Sequence, residues 1–251
     1  MPGAAIGQGR FGKDARAPGA SRPEVIRTEL VTKVFQSGTV RVTAVDGVSL
    51  SIREGEFVAL VGPSGSGKTT LLNLIAGLER PTSGRVLLAG MDITGLSESR
   101  LTRLRRDLVG FVFQAYNLIP VLTVEENVEY VMLLQGVDRR ERRRRVAEML
   151  ALVGLQGMAR RFPPSLSGGQ QQRVAIARAM VAEPKVILAD EPTANLDSVT
   201  SGALLDLMRR LNQEKGMAFV FSTHDPLVMQ RARRVVVLRD GKIHSDAHRE
   251  A

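Results

Sequence analysis

Gly62-Pro63-Ser64-Gly65-Ser66-Gly67-Lys68-Thr69 sets a glycine, four free positions and Gly-Lys-Thr between an apolar run and a helical period, and this order decides the fold. Glycines let the backbone turn its N–H groups inward to cradle phosphate oxygens, where a side chain would block the approach. Upstream, Phe57-Val58-Ala59-Leu60-Val61 is unbroken apolar sequence, as a strand covered on both faces should be. Downstream, Leu71, Leu72, Leu74 and Ile75 fall at helical spacing, with Gly77 as the stop. Strand, glycine loop and helix N-terminus together aim the helix dipole at an anion. The expected ligand is a nucleotide, held by Gly62 to Thr70, with Lys68 at the β- and γ-phosphates and the Thr69 hydroxyl on Mg²⁺.

The 251 residues suffice for one large domain or a core with a lobe. Cysteine is absent, which excludes disulfides and thiolate metal sites, and three histidines are too few for a zinc site built from them. No apolar run is long enough to span a bilayer. Residues 1–23, rich in Gly, Ala and Pro, read as a disordered tail. The net charge of +9 asks for an anionic partner. Part of it lies in Arg139-Arg140-Glu141-Arg142-Arg143-Arg144-Arg145. That run reads first as a solvated helix face and second as a contact with anionic lipid headgroups. Nucleic acid is not expected, because no aromatic residues interleave with the arginines.

Between Glu24 and Ile52, alternation at Val40, Val42 and Ala44 and again at Val48, Leu50 and Ile52 predicts short antiparallel strands, with turns at Ser37-Gly38 and Asp46-Gly47. Further strands are expected at Arg85 to Ala89 and Leu108 to Phe113, around a polar helix from Ser97 to Arg106. Gln114 falls at the C-terminal end of the second of these, the side on which open α/β sheets bind ligands. From Asn117 to Pro164 no strand signal survives. A capping pair at Thr123 and Glu126 and a helical period from Arg142 to Val153 predict an all-helical insertion, about residues 115–166.

Ser167-Gly168-Gly169-Gln170 then opens a helix that runs to Glu183-Pro184. Two glycines weaken a helix start, and exposed N–H groups beside a serine hydroxyl suit a second anion site. Val186-Ile187-Leu188-Ala189-Asp190-Glu191 is a buried strand ending in two carboxylates, whose charge demands a partner. Asp190 suits Mg²⁺, and Glu191 suits a general base for an attacking water beside the γ-phosphate. Ala218 to Ser222 repeats the theme and ends in Thr223-His224-Asp225, where His224 can donate to a phosphate oxygen. Val235 to Leu238 is the last strand expected.

Taken in order, these residues resemble the ATP-binding subunit of ABC transporters from about Glu24 to Ser245. The run Ala115 to Val128 and the run Ala189-Asp190-Glu191-Pro192-Thr193-Ala194-Asn195-Leu196-Asp197 are similar to the group of macrolide-export, lipoprotein-release and cell-division ATPases. The resemblance implies an α/β fold with a P-loop NTPase core of mainly parallel sheet, an antiparallel β subdomain and an inserted α-helical subdomain. It implies one ATPase domain over residues 24–245, with a short tail at 246–251. It implies ATP and Mg²⁺ as cofactors, Glu191, His224 and Gln114 as catalytic residues, and Thr69, Gln114 and Asp190 around the metal. Phe35 would stack on adenine. Two copies would pack head to tail, Ser167, Gly168, Gly169 and Gln170 of one closing on ATP held by Gly62, Pro63, Ser64, Gly65, Ser66, Gly67, Lys68, Thr69 and Thr70 of the other. Asp197 would lie at their seam. The helical lobe would receive a helix of a membrane permease, which places the chain peripherally on the cytoplasmic face of the membrane. Export or extraction of a substrate is the implied direction.

Three other readings compete. Nucleic-acid ATPases of the same superfamily carry long coiled-coil or zinc insertions, which this chain lacks. A mechanical signalling complex would use the same ATPase without transport. A non-hydrolysing module is disfavoured by the presence of both Glu191 and His224.

Overall fold

The structure, a computed structural model, describes residues 22–249; most of the expected N-terminal tail lies outside the described residues. Alternation after Glu24 produces two long strands rather than several short ones. β1 (Glu24–Ser37) and β2 (Val40–Arg53) pair antiparallel across the expected turn at Ser37-Gly38. Asp46-Gly47 is not a turn. It is an irregularity inside β2, where pairing shifts between Lys33↔Val45 and Val31↔Val48. Gly47 sits at φ 61° and donates its N–H to the Thr32 hydroxyl at 3.0 Å, so the kink is absorbed as a bulge.

β3 (Phe57–Val61) leads through the glycine loop into α1 (Lys68–Ile75). β4 (Ser83–Leu88) and β5 (Met91–Asp92) complete an antiparallel sheet of order β2-β1-β4-β5. α2 (Glu98–Leu108) follows Ser97 and takes in Leu108, which the apolar run had assigned to the next strand, β6 (Val109–Val112). The insertion holds α3 (Val124–Leu134), α4 (Arg139–Leu152) and one 3-10 turn at Pro163–Ser165. Thr123 and Glu126 form the expected capping box on α3. α5 (Gly168–Met180), β7 (Val186–Asp190), α6 (Ser198–Lys215), β8 (Ala218–Thr223), α7 (Pro226–Arg231) and β9 (Arg234–Arg239) follow. A final strand, β10 (Lys242–His248), pairs antiparallel with β9 and runs past the boundary expected at Ser245. Its residues are mostly polar and exposed, so no apolar pattern announced it.

The second sheet has the order β10-β9-β3-β8-β7-β6, parallel except for β10. Two-residue periodicity divides its side chains between two cores. Phe57, Ala59 and Val61 face the core built with α3 to α6, together with Ile187, Ala189, Phe219 and Phe221. Val58 and Leu60 face the other, with Val186, Leu188, Ala218, Val220 and the α1 residues Leu71, Leu72, Leu74 and Ile75. The buried rings of Phe57, Phe219 and Phe221 lie 4.6–6.0 Å apart, and burying each contributes about 2–3 kcal/mol. Gly110 lets α5 approach β6, since a Cβ there would run into the Ala179 carbonyl and the Ile187 side chain. This stacking brings the C-terminal ends of β3, β7 and β8 to one edge, where the loops that follow them converge.

Candidate functional site

Those loops enclose a cavity of about 730 Å³ lined by Pro63, Ser64, Gly65, Ser66, Gly67, Lys68, Thr69 and Thr70, with Gln114, Glu191, Ala194, Ser222 and His224 opposite and Ala44 at its side. Gly67 has φ 99°, and a Cβ there would strike the Ala44 carbonyl, so the loop can pass between β2 and α1 only as glycine. Gly62 is not among its lining residues, and a Cβ there would run into the Leu238 carbonyl. Lys68 is nearly buried; its Nζ donates to the carbonyls of Gly62 at 2.8 Å and Pro63 at 3.0 Å. Ser66 Oγ and Ser222 Oγ are buried without a hydrogen-bond partner. Orphan hydroxyls, a lysine and the start of α1 around one concavity suit a polyanion.

Asp190 reaches the cavity through Thr69, whose Oγ1 lies 3.2 Å from each carboxylate oxygen. No cluster of three or more His, Cys, Asp or Glu side chains exists among the described residues. One hydroxyl and one carboxylate, with the Gln114 amide on the same cavity, fit Mg²⁺, which keeps waters and takes its other oxygens from phosphate.

Glu191 leaves β7 at φ 46°, its N–H bound to the Ser222 carbonyl at 2.9 Å. Thr223 Oγ1 donates to its Oε2 at 3.2 Å, and His224 Nδ1 lies 2.7 Å from its Oε1. An ionised carboxylate only accepts, so in this contact His224 donates from Nδ1 to Glu191. The same N–H reaches a phosphate only by leaving Glu191. Each Glu191 oxygen retains lone pairs for a water proton. Thr223 also accepts from the Asp225 N–H at 3.0 Å, and Thr193 Oγ1 donates to Asp225 Oδ2 at 2.7 Å. Sequence reading passed over Thr193, whose only signal is a hydroxyl two residues beyond Glu191.

Gln114 opens a loop in which Tyr116 and Asn117 have φ 60° and 49°. Arg178 on α5 clamps it, donating to the Tyr116 carbonyl at 2.9 Å and the Asn117 carbonyl at 2.5 Å. Burial lowers the Arg178 pKa, the cost of using its guanidinium in this way. Asn195 Nδ2 donates to the Gln114 carbonyl at 3.0 Å.

Ser167 to Gln170 do not line this cavity. They edge a separate concavity of about 430 Å³ that also takes in Asn195, Asp197 and Thr200. Ser167 caps α5 and Gln170 closes the capping box, with Ser167 N–H to Gln170 Oε1 at 3.0 Å. The glycines between them also leave room for neighbours: a Cβ on Gly168 would press on the Tyr116 hydroxyl, and one on Gly169 on the Thr200 methyl. Asp197 caps α6, accepting from Val199 N–H, Thr200 N–H and Thr200 Oγ1. The Thr200 bonds hold its carboxyl below the usual range.

Phe35 is half exposed and does not line the cavity. It pairs with Val42 on the β2 face that continues to Ala44, and Lys33 Nζ sits 4.8 Å above its ring. In the arginine run, Arg142 pairs with Glu129, Arg144 with Glu141 and Glu148, and Arg145 with Glu141. The Arg144 and Arg145 pairs lie within α4, whereas Arg142 reaches across to α3 with its side chain 14% exposed.

Residues 45–194 match the family described as ABC transporter. The macrolide export ATP-binding/permease protein MacB of Hyphomonas neptunium is 48% identical over 90% of this chain, which spans 35% of that relative's length. The methionine import ATP-binding protein MetN 2 of Rhodococcus jostii is 49% identical over 87% of this chain, which spans 64% of it. The solved dimeric structure of MJ0796, a bacterial ABC transporter cassette, superposes with a TM-score of 0.83 at 43% identity, covering 90% of this chain and 99% of that one. A second structure of that cassette, also dimeric, is a post-hydrolysis state bound to ADP and Pi, with the same TM-score of 0.83.

Proposed function

The chain belongs to the ABC transporter family as one of its ATPase cassettes, and on that premise we propose that two copies close head to tail on two ATP molecules to power a membrane permease. The observation that carries this reading is the separation of the Ser167 corner from the phosphate-loop cavity, two concavities with no residue in common. A helix start of that chemistry has no phosphate to meet in its own chain.

In this reading Gly62 to Thr70 hold the triphosphate, Lys68 exchanging the Gly62 and Pro63 carbonyls for phosphate oxygens. Thr69, Asp190 and Gln114 would hold Mg²⁺, which neutralises charge on the phosphates when bound. Ser167 to Gln170 of the second copy donate to the γ-phosphate, and Asp197 lies at the seam. Glu191 takes a proton from the water that attacks the γ-phosphorus, the bond to ADP breaks, and His224 supports the released phosphate's charge. Phe35 stacks on the base from the sheet face beyond Ala44. The γ-phosphate bridges both copies, so its release after hydrolysis removes the differential affinity and the pair opens.

The helical lobe, residues 115–166, would take up a permease helix and hold the chain at the cytoplasmic face. No helix among the described residues is long and apolar enough to cross a membrane. An exporter and an importer are matched almost equally, at 48% and 49%. The proposed role is therefore to power a permease, whose own residues would select the cargo.

The test is the mass of Glu191→Gln by light scattering with Mg²⁺ and ATP. Doubling with ATP but not ADP is expected; single chains under both conditions would overturn the shared site.

A further inference from the structure

Gln172 is a polar residue at the start of the α5 core face. It is fully exposed to neighbours and not at all to solvent, at 0%. Nε2 donates to the Pro192 carbonyl at 2.7 Å, while Oε1 is buried with no hydrogen-bond partner. An amide oxygen buried without a partner costs the core something, and what it is set against is the N–H that satisfies the buried Pro192 carbonyl.

Pro192 follows Glu191 directly, and it has no N–H, which leaves its carbonyl as the backbone group by which the turn is held. Glu191 occupies the left-handed region at φ 46°, a conformation that persists only where its surroundings impose it. The Glu191 N–H bond to Ser222 and the Thr193 bond to Asp225 fasten the turn to β8 and the residues after it. The Gln172 bond fastens it to α5, the helix that begins at the Ser167 corner.

We infer that Gln172 is a positioning residue: it couples the Ser167 end of α5 to the turn that aims the Glu191 carboxylate. This rests on the reading of Glu191 as the base. Once the second copy's phosphate engages the start of α5, any shift of that helix is passed to Pro192, one peptide away from the carboxylate.

The experiment compares Gln172→Met and Gln172→Glu with wild type and with Glu191→Gln, measuring melting temperature, ATP affinity and kcat. For Gln172→Met the expected result is a melting temperature a few degrees lower, from the unpaired Pro192 carbonyl, ATP affinity within about twofold, and kcat lowered about tenfold, the scale of a misaligned reacting group. Gln172→Glu supplies a buried carboxyl that is neutral at low pH, when its O–H replaces the lost donor. Its kcat relative to wild type should rise between about pH 8 and about pH 6, whereas the Gln172→Met ratio stays flat. Wild-type kcat in Gln172→Met, or a loss of ATP affinity in proportion to kcat, overturns the inference, as does a flat ratio for Gln172→Glu. Lost turnover in Glu191→Gln beside wild-type kcat in Gln172→Met sinks the positioning role alone. Near-normal hydrolysis in Glu191→Gln sinks the reading beneath it.

Discussion

The Thr69 hydroxyl lies 3.2 Å from both oxygens of Asp190, although 121 residues separate the two in sequence. They meet because β3 and β7 both flank β8 in parallel and end together, Val61 opposite Thr223 and Asp190 opposite Ser222. The pair offers two hard oxygen donors at the foot of the phosphate loop. Replacing Asp190 by Asn keeps the shape and removes the charge. The expected outcome is an Mg²⁺ requirement for ATP hydrolysis raised about 10- to 100-fold, with ATP binding in chelator unchanged, read by titrating the metal.

Glu191→Gln should retain ATP affinity and lower kcat by about 10²- to 10⁴-fold, the range for losing a general base. The amide still accepts from Thr223 and no longer takes a proton from water. Single-turnover phosphate release, beside retention of labelled nucleotide, separates binding from chemistry.

Ser167→Arg places a long cation on the capping residue of α5. A separate copy should bind ATP as before, because Ser167 lies outside that cavity. ATP-dependent mass doubling and hydrolysis should both be lost. Light scattering and a phosphate assay on one preparation check the pair of outcomes.

Arg234 is nearly buried and forks onto Asp246 at 2.8 and 2.7 Å while also reaching Glu56 at 2.8 Å. The Arg234 hydrogen bond holds the Asp246 carboxyl below its usual range. A depressed carboxylate stabilises the fold above its unfolded pKa, and that contribution disappears as pH falls through the folded value. Asp246→Asn should therefore cost about 1 kcal/mol near neutrality, the bond being partly screened by solvent. The difference from wild type should shrink below about pH 4, as followed by urea unfolding across pH.

Where sequence sufficed, local chemistry and burial agreed. The glycine loop, the apolar runs of β3 and β7, and the caps at Thr123 and Ser167 carry their reasons within a few residues. Asp46-Gly47 misled because an Asp-Gly pair signals a turn, whereas here pairing with β1 continues on both sides and makes it a bulge. β10 escaped notice because an exposed edge strand needs no apolar period. Gln172 and Arg178 were silent for another reason. Each serves a carbonyl on a distant segment, Pro192 and Tyr116, and nothing on α5 itself marks that target.

The Ser167 corner and the phosphate loop line different concavities, which on the proposed reading would separate loading from firing. A lone subunit would then carry its fuel without burning it, and commitment would wait on the arrival of a twin. Whatever governs how often the two faces meet, a membrane partner above all, would set the pace of consumption.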